Sequence, residues 1–174
     1  MQNIFLISDT HFSQHSILTF LKKDGSRLRP FDSVEEMDET LVENWNKLVR
    51  PSDKIYHLGD VAMKKKDLKI LGRLNGRKIL IRGNHDIYKL KDYAEFFADI
   101  RGCHVLDRMV MTHIPIHPDS KSRYIANIHG HTHSNKVMFD SEPHPFYHCV
   151  SVEQTNFSPI SLEEIKSRIL IKTT

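Results

Sequence analysis

Long apolar runs are absent from this 174-residue chain. The longest, Ile4–Ile7, falls far short of the about 20 apolar residues that cross a bilayer as a helix. No basic lead-in followed by an apolar stretch opens the chain, so neither export nor a membrane partner is expected, and the expected location is cytoplasmic. Cysteine is scarce. Cys103 and Cys149 allow at most one disulfide, which excludes a secreted disulfide framework; both read as reduced thiols. A large excess of one charge is also missing, since 25 Lys and Arg against 22 Asp and Glu leave a net charge of +3. That is too little for a broad basic surface, so nucleic acid is a possible but not a favoured partner. Repeats, low-complexity stretches and linkers are missing too, and 39% hydrophobic with 27% charged residues is an ordinary globular balance. The chain reads as one domain over residues 1–174.

What is abundant is histidine, with 12 residues, the commonest metal ligand and a frequent acid or base. The coarse pattern around those histidines predicts strands over residues 2–8, 54–58 and 77–82 from their β-branched and aromatic content. A strong helix starts after Ser33, where Ser33 and Glu36 form a capping box and Val34, Met37, Leu41, Trp45 and Leu48 mark one apolar face. Further helices are expected over 16–22, 66–74 and 91–100, and a last one opens at a second capping box, Ser161 with Glu164. Strands dominate the later half, at 105–106, 109–112, 124–129 and 147–152. Early alternation followed by late strands predicts an α/β sandwich with two sheets and outer helices.

Five short polar clusters follow the predicted strands: Asp9-Thr10-His11, Gly59-Asp60, Gly83-Asn84-His85-Asp86, Thr112-His113 and Gly130-His131-Thr132-His133. Strand ends that feed loops are where α/β folds place their sites. Asp9 and His11 are two apart, as are His131 and His133. In extended chain such residues point the same way, roughly 6.5 Å apart, and serve one metal together or two separately. The donor set Asp9, His11, Asp60, Asn84, His113, His131 and His133 suits two metals, which in phosphoryl transfer stand about 3.5–4 Å apart. One carboxylate must then bridge, and Asp60, in the middle of the set, is the natural candidate. Two divalent ions outweigh Asp9 and Asp60, which favours an anionic substrate, a phosphate ester above all. Nitrogen-rich ligands suit Mn²⁺, Fe, Ni²⁺, Co²⁺ or Zn²⁺ over Mg²⁺ or Ca²⁺, and Mn²⁺ is the ion expected.

In order and spacing the five clusters resemble the calcineurin-like metallophosphoesterases, over about residues 2–152. The small single-domain members found in bacteria and phages look most similar, through Ser8-Asp-Thr-His-Phe12, Arg29-Pro-Phe31, Glu36-Met-Asp38, Trp45-Asn46 and Tyr56-His-Leu-Gly-Asp60. The resemblance implies a four-layered α/β sandwich, two mixed β-sheets flanked by helices, with two metals at the strand ends. By motif match Asp9, His11, Asp60 and His133 would hold the first metal. Asp60, as the bridge, would hold the second with Asn84, His113 and His131. A metal-bridging hydroxide would attack phosphorus, His85 would protonate the leaving oxygen as general acid, and Asp86 would orient His85.

The implied substrate is a small phosphomonoester or phosphodiester, with a nucleotide as one instance. A nuclease using the same site on DNA or RNA is the alternative, and a non-catalytic metal-binding scaffold a third reading. Four further residues are substrate-binding candidates: His15 and Arg29 in the loop after the first motif, Arg82 just before Gly83, and His117 four after His113. A guanidinium such as that of Arg29 could fork a phosphate. His57 and His129, each within three residues of a candidate ligand, could orient that ligand from behind.

Overall fold

The structure, a computed structural model, describes residues 2–171. Strand β1 (Ile4–Ile7) is followed by helix α1 (Val34–Leu48), then β2 (Lys54–His57), β3 (Arg77–Ile81), helix α2 (Leu90–Ala94) and β4 (Asp99–Arg101). The later half holds β5 (His104–Leu106), β6 (Met109–Met111), β7 (Ala126–His129), β8 (Met138–Phe139), β9 (Glu142–Pro143), β10 (Tyr147–Cys149), β11 (Ile160–Ser161) and helix α3 (Leu162–Ile171). One sheet has the order β11-β1-β2-β3-β4, parallel except for β11. The second has the order β10-β7-β6-β5, parallel except for β5. The expected α/β sandwich of two mixed sheets flanked by helices is therefore present. A separate hairpin joins β8 and β9.

Two cores account for the layering. Strand residues alternate between faces, so Phe5, Ile7, Ile55 and Leu80 turn to one side of the first sheet, where Met37, Leu41 and Trp45 of α1 cover them. Leu6, Tyr56, Ile79 and Ile81 turn to the other side, against Met109, Met111 and Ile128 of the second sheet and Ile165 of α3. Apolar residues on both faces explain why β1 and the end of β3 read as continuous apolar runs. Helix α1 starts as predicted, with the Ser33 hydroxyl accepting from the Glu36 N–H at 3.1 Å. In α3, Ser161 likewise accepts from the Glu164 N–H at 3.1 Å.

Some elements differ from the sequence pattern. The expected helix over 66–74 is a 3₁₀ helix, Lys65–Arg73. Its buried leucines, Leu68, Leu71 and the following Leu74, recur every third residue, and a three-residue turn keeps them on one face. The expected helix over 91–100 stops after one turn, at Ala94. Tyr93 and Phe97 fill the core, and Asp99–Arg101 then pairs with β3 as a strand. Sheet completion outweighs local helical spacing there. The segment over 16–22 is a 3₁₀ turn, His15–Thr19.

Burial keeps two strand histidines neutral, with the pKa of His57 pushed down to about 3 and that of His129 to about 4. A depressed folded-state pKa means that the unfolded chain binds more protons than the folded one below the ordinary histidine value of 6.5. Their contribution is complete above that value and is lost as pH falls toward the folded-state values. The thermal midpoint is therefore expected to fall between pH 6.5 and 4. A flat melting profile across that window would contradict it.

Candidate metal centre

Parallel pairing continues past the strand ends and zips the polar loops together. The Asp9 N–H donates to the Gly59 carbonyl at 2.9 Å, His11 N–H to Asp60 at 3.1 Å, and Gly130 N–H to His113 at 2.9 Å. The two sheets meet beside these loops, where Ser8 bridges to Ser151. Five of the candidate ligands adopt positive φ: Asp9 (56°), His11 (49°), Asp60 (58°), His131 (65°) and His133 (49°). Each such residue stores about 1–3 kcal/mol of strain that the fold must offset, a pattern that concentrates at functional sites.

Glycine permits the close approach. A Cβ on Gly59, itself at φ 95°, would lie 2.5 Å from Gly83 N and 2.7 Å from His113 Nδ1. One on Gly83 would lie 2.5 Å from Asp60 N and clash with Asp60 Oδ1. Gly83→Ala is expected to displace Asp60 and cost about 1–3 kcal/mol, as overpacking does. At about 2–4 °C per kcal/mol that is a clear drop in melting temperature. An unchanged melting temperature would contradict the crowding.

The fold gathers the donors into two groups. One carboxylate or imidazole atom from each of Asp9, His11 and His133 lies within 4.8 Å of the others, and the same holds for Asp60, His113 and His131. Asp60 stands between the groups, its Oδ2 3.7 Å from His11 Nε2 and 3.3 Å from His113 Nε2. Asn84 joins the second group, its Oδ1 2.9 Å from His113 Nε2. The imidazoles are oriented from behind. His113 Nδ1 contacts the Leu58 carbonyl at 2.7 Å and His133 Nδ1 contacts Glu153 Oε1 at 3.0 Å, so each ring turns Nε2 toward the acids. Asp9 accepts from the His131 N–H and from Ser151 Oγ, the latter at 2.7 Å.

These residues fit a cation. Both ring nitrogens of His11 are buried without a hydrogen-bond partner, although Nε2 lies 3.7–3.9 Å from two carboxylates. Burial dominates at His11 and pushes its pKa down to about 3, so the ring is a neutral lone-pair donor. Burial also raises the Asp9 carboxyl. At Asp60 burial opposes ionisation, but the hydrogen bond and charge of His113 prevail and hold the carboxyl at about 2. Two carboxylates beside the buried, neutral His11 imidazole make an environment that a positive ion stabilises.

His85 sits at the exposed rim, its ring 5.8 Å from that of His11 and its N–H on Asp60 Oδ1 at 2.9 Å. Asp86 does something other than orient that ring. Its carboxylate accepts from the N–H groups of Asp60 (2.9 Å), Val61 (3.1 Å) and Gly83 (2.8 Å), locking two loops together. Arg29 is fully buried on the carbonyls of Asp9 and Thr10 and on Glu153, so its guanidinium does not present a fork to substrate. Arg82 donates to the Asp86 carbonyl and closes its own loop instead of reaching a substrate. His117 is exposed and faces Asp119 at 3.6 Å, capping the turn that follows it. His15 is exposed on its 3₁₀ turn, and among the described residues no hydrogen bond or ion pair ties it to the centre.

Of the two supporting histidines, His57 contacts Thr10 Oγ1 at 2.9 Å and accepts from the Gly59 N–H at 3.2 Å, bracing two of the loops. His129 Nδ1 contacts the Gly130 carbonyl at 2.8 Å. Glu153 was invisible to motif reasoning. It lies 20 residues beyond His133, outside every cluster, and only the fold brings it back.

Comparison with known proteins gives this arrangement a family. The calcineurin-like phosphoesterase superfamily domain matches residues 2–145. An uncharacterized protein of Methanocaldococcus jannaschii is 38% identical over 181 aligned positions, 95% of this chain and 90% of that one. The gene 66 protein of Mycobacterium phage L5 is 35% identical over 91 positions, 49% of this chain and 41% of its own. A solved structure, a protein of unknown function from Aquifex aeolicus, superposes with a TM-score of 0.72 at 26% identity, covering 96% of this chain and 99% of that one. The chain belongs to the calcineurin-like phosphoesterase superfamily, a family of typically metal-dependent hydrolases acting on phosphate esters. Among the described residues, no helix is long and apolar enough to cross a membrane.

Proposed function

We propose that this protein hydrolyses a small phosphate ester at a centre holding two divalent ions, Mn²⁺ foremost. The observation that carries this reading is Asp60 Oδ2, set between two donor groups that each offer three ligand atoms within 4.8 Å. Asp9, His11 and His133 would hold one ion, Asn84, His113 and His131 the other, with Asp60 shared. When bound, two such ions supply a hydroxide nucleophile near neutral pH and neutralise charge on the phosphoryl oxygens.

The chain's own residues do the rest. Asp60 fixes the His85 backbone through its Oδ1, and the His85 ring stands at the exposed rim, 5.8 Å from that of His11. From there His85 gives a proton to the departing ester oxygen. Asp86 holds the Asp60 and Gly83 loops in register, so the carboxylate and the acid keep their relative position. Beside His133 a groove of about 520 Å³ runs between the segment Thr19–Lys23 and Ser134–Asn135, walled by Phe20, Leu21, Lys22 and Lys23. That volume suits a small organic leaving group, within the usual range of small-molecule sites. Together with the net charge of +3 it favours a small ester over a nucleic-acid polymer.

The test is turnover of p-nitrophenyl phosphate and bis-p-nitrophenyl phosphate by metal-stripped protein, before and after Mn²⁺ is restored. Restored protein is expected to hydrolyse at least one of them and stripped protein neither. Rates that ignore the metal would contradict the reading.

A further inference from the structure

Arg29 and Glu153 are 124 positions apart in sequence, yet they form a buried ion pair with side-chain exposures of 0% and 1%. The Arg29 Nε and Nη2 each lie 2.8 Å from Glu153 Oε1. That same oxygen accepts from His133 Nδ1 at 3.0 Å. Arg29 also donates to the Thr10 carbonyl at 2.7 Å and to the Asp9 carbonyl. One guanidinium thus grips the backbone of Asp9 while its carboxylate partner orients His133.

A buried ion pair is weak as a source of stability, because desolvation offsets its attraction. Its placement here points to another role. A carboxylate behind a ligating imidazole fixes the tautomer and raises the basicity of the other nitrogen. In the opposite group the His113 Nδ1 meets the neutral Leu58 carbonyl, which fixes the ring but brings no charge. The two groups therefore differ in what stands behind their imidazoles.

We infer that Arg29 and Glu153 are positioning residues that raise cation affinity at Asp9, His11 and His133 selectively, so that the two metal positions are unequal. This rests on the proposed two-ion centre. The pair touches both a carboxylate loop and an imidazole of one group, and Glu153 is the acid hydrogen-bonded to His133 Nδ1.

Calorimetric titration of metal-stripped protein with Mn²⁺ tests it. Wild-type protein is expected to bind two equivalents. Glu153→Gln keeps an acceptor for His133 and removes the charge. One equivalent should weaken by about 10–100-fold, the usual cost of losing such support, while the other stays put. The weakened equivalent should be the one that His11→Ala also weakens. Because Glu153→Gln leaves a buried guanidinium unpaired, the double variant Arg29→Met with Glu153→Gln is measured alongside, with circular dichroism as the check on folding. It should show the same selective weakening. Two equivalents of unchanged affinity in both variants, or equal weakening of both equivalents, would overturn the inference and leave the two-ion centre standing. Wild-type protein that binds no Mn²⁺ would overturn both.

Discussion

Asp60→Asn is expected to remove both ions and to lower turnover further than any other single change in the centre. Its carboxylate lies 3.7 Å from His11 Nε2 in one group and 3.3 Å from His113 Nε2 in the other, so one oxygen reaches both groups. Loss of an outer-shell partner of a ligand costs about 10–100-fold in metal affinity or activity; loss of a shared ligand should exceed that. The amide keeps the size of the side chain, and its carbonyl oxygen still accepts from the His85 N–H. Folding should therefore survive while metal content falls. Elemental analysis after dialysis, beside a circular dichroism spectrum, separates the two. Full metal occupancy in Asp60→Asn would remove this residue from the bridge.

His85→Ala should do the opposite. Its ring belongs to neither donor group, and alanine retains the backbone N–H that anchors Asp60. Metal content is expected to stay at the wild-type level. Turnover of an alkyl phosphate ester should fall by about 10²–10⁴-fold, the range for loss of a positioned general acid. A p-nitrophenyl ester leaves as a stabilised phenolate and needs no proton, so its turnover should fall far less. Equal losses on both esters would take the acid role away from His85.

Much of the centre was legible because its chemistry is local. Asp9 with His11 and His131 with His133 stand out as polar pairs just past apolar strands, although their backbone turns into the left-handed region instead of running extended, and glycines mark the turns where Gly59, Gly83 and Gly130 pack close to neighbouring loops. The strands were legible for a related reason, since β1 to β3 are apolar on both faces. Arg29, Asp86 and Glu153 were misread or missed because their roles depend on contacts across the fold. Arg29 looked like a phosphate fork in a polar loop, yet the chain folds that loop inward onto a carboxylate 124 residues away. Asp86 sits beside His85 in sequence, but its carboxylate turns to the backbone of the neighbouring loop. Short elements such as β4 and β11 carry too little pattern of their own, and exist because an adjacent strand offers open hydrogen-bonding groups.

Two donor groups that share Asp60 are proposed to hold two ions. Anomalous diffraction from crystals grown with Mn²⁺ tests it most directly. Two peaks are expected, one among Asp9, His11 and His133 and one among Asn84, His113 and His131, about 3.5–4 Å apart with Asp60 reaching both. A single peak, or ions lying away from Asp60, would contradict the account.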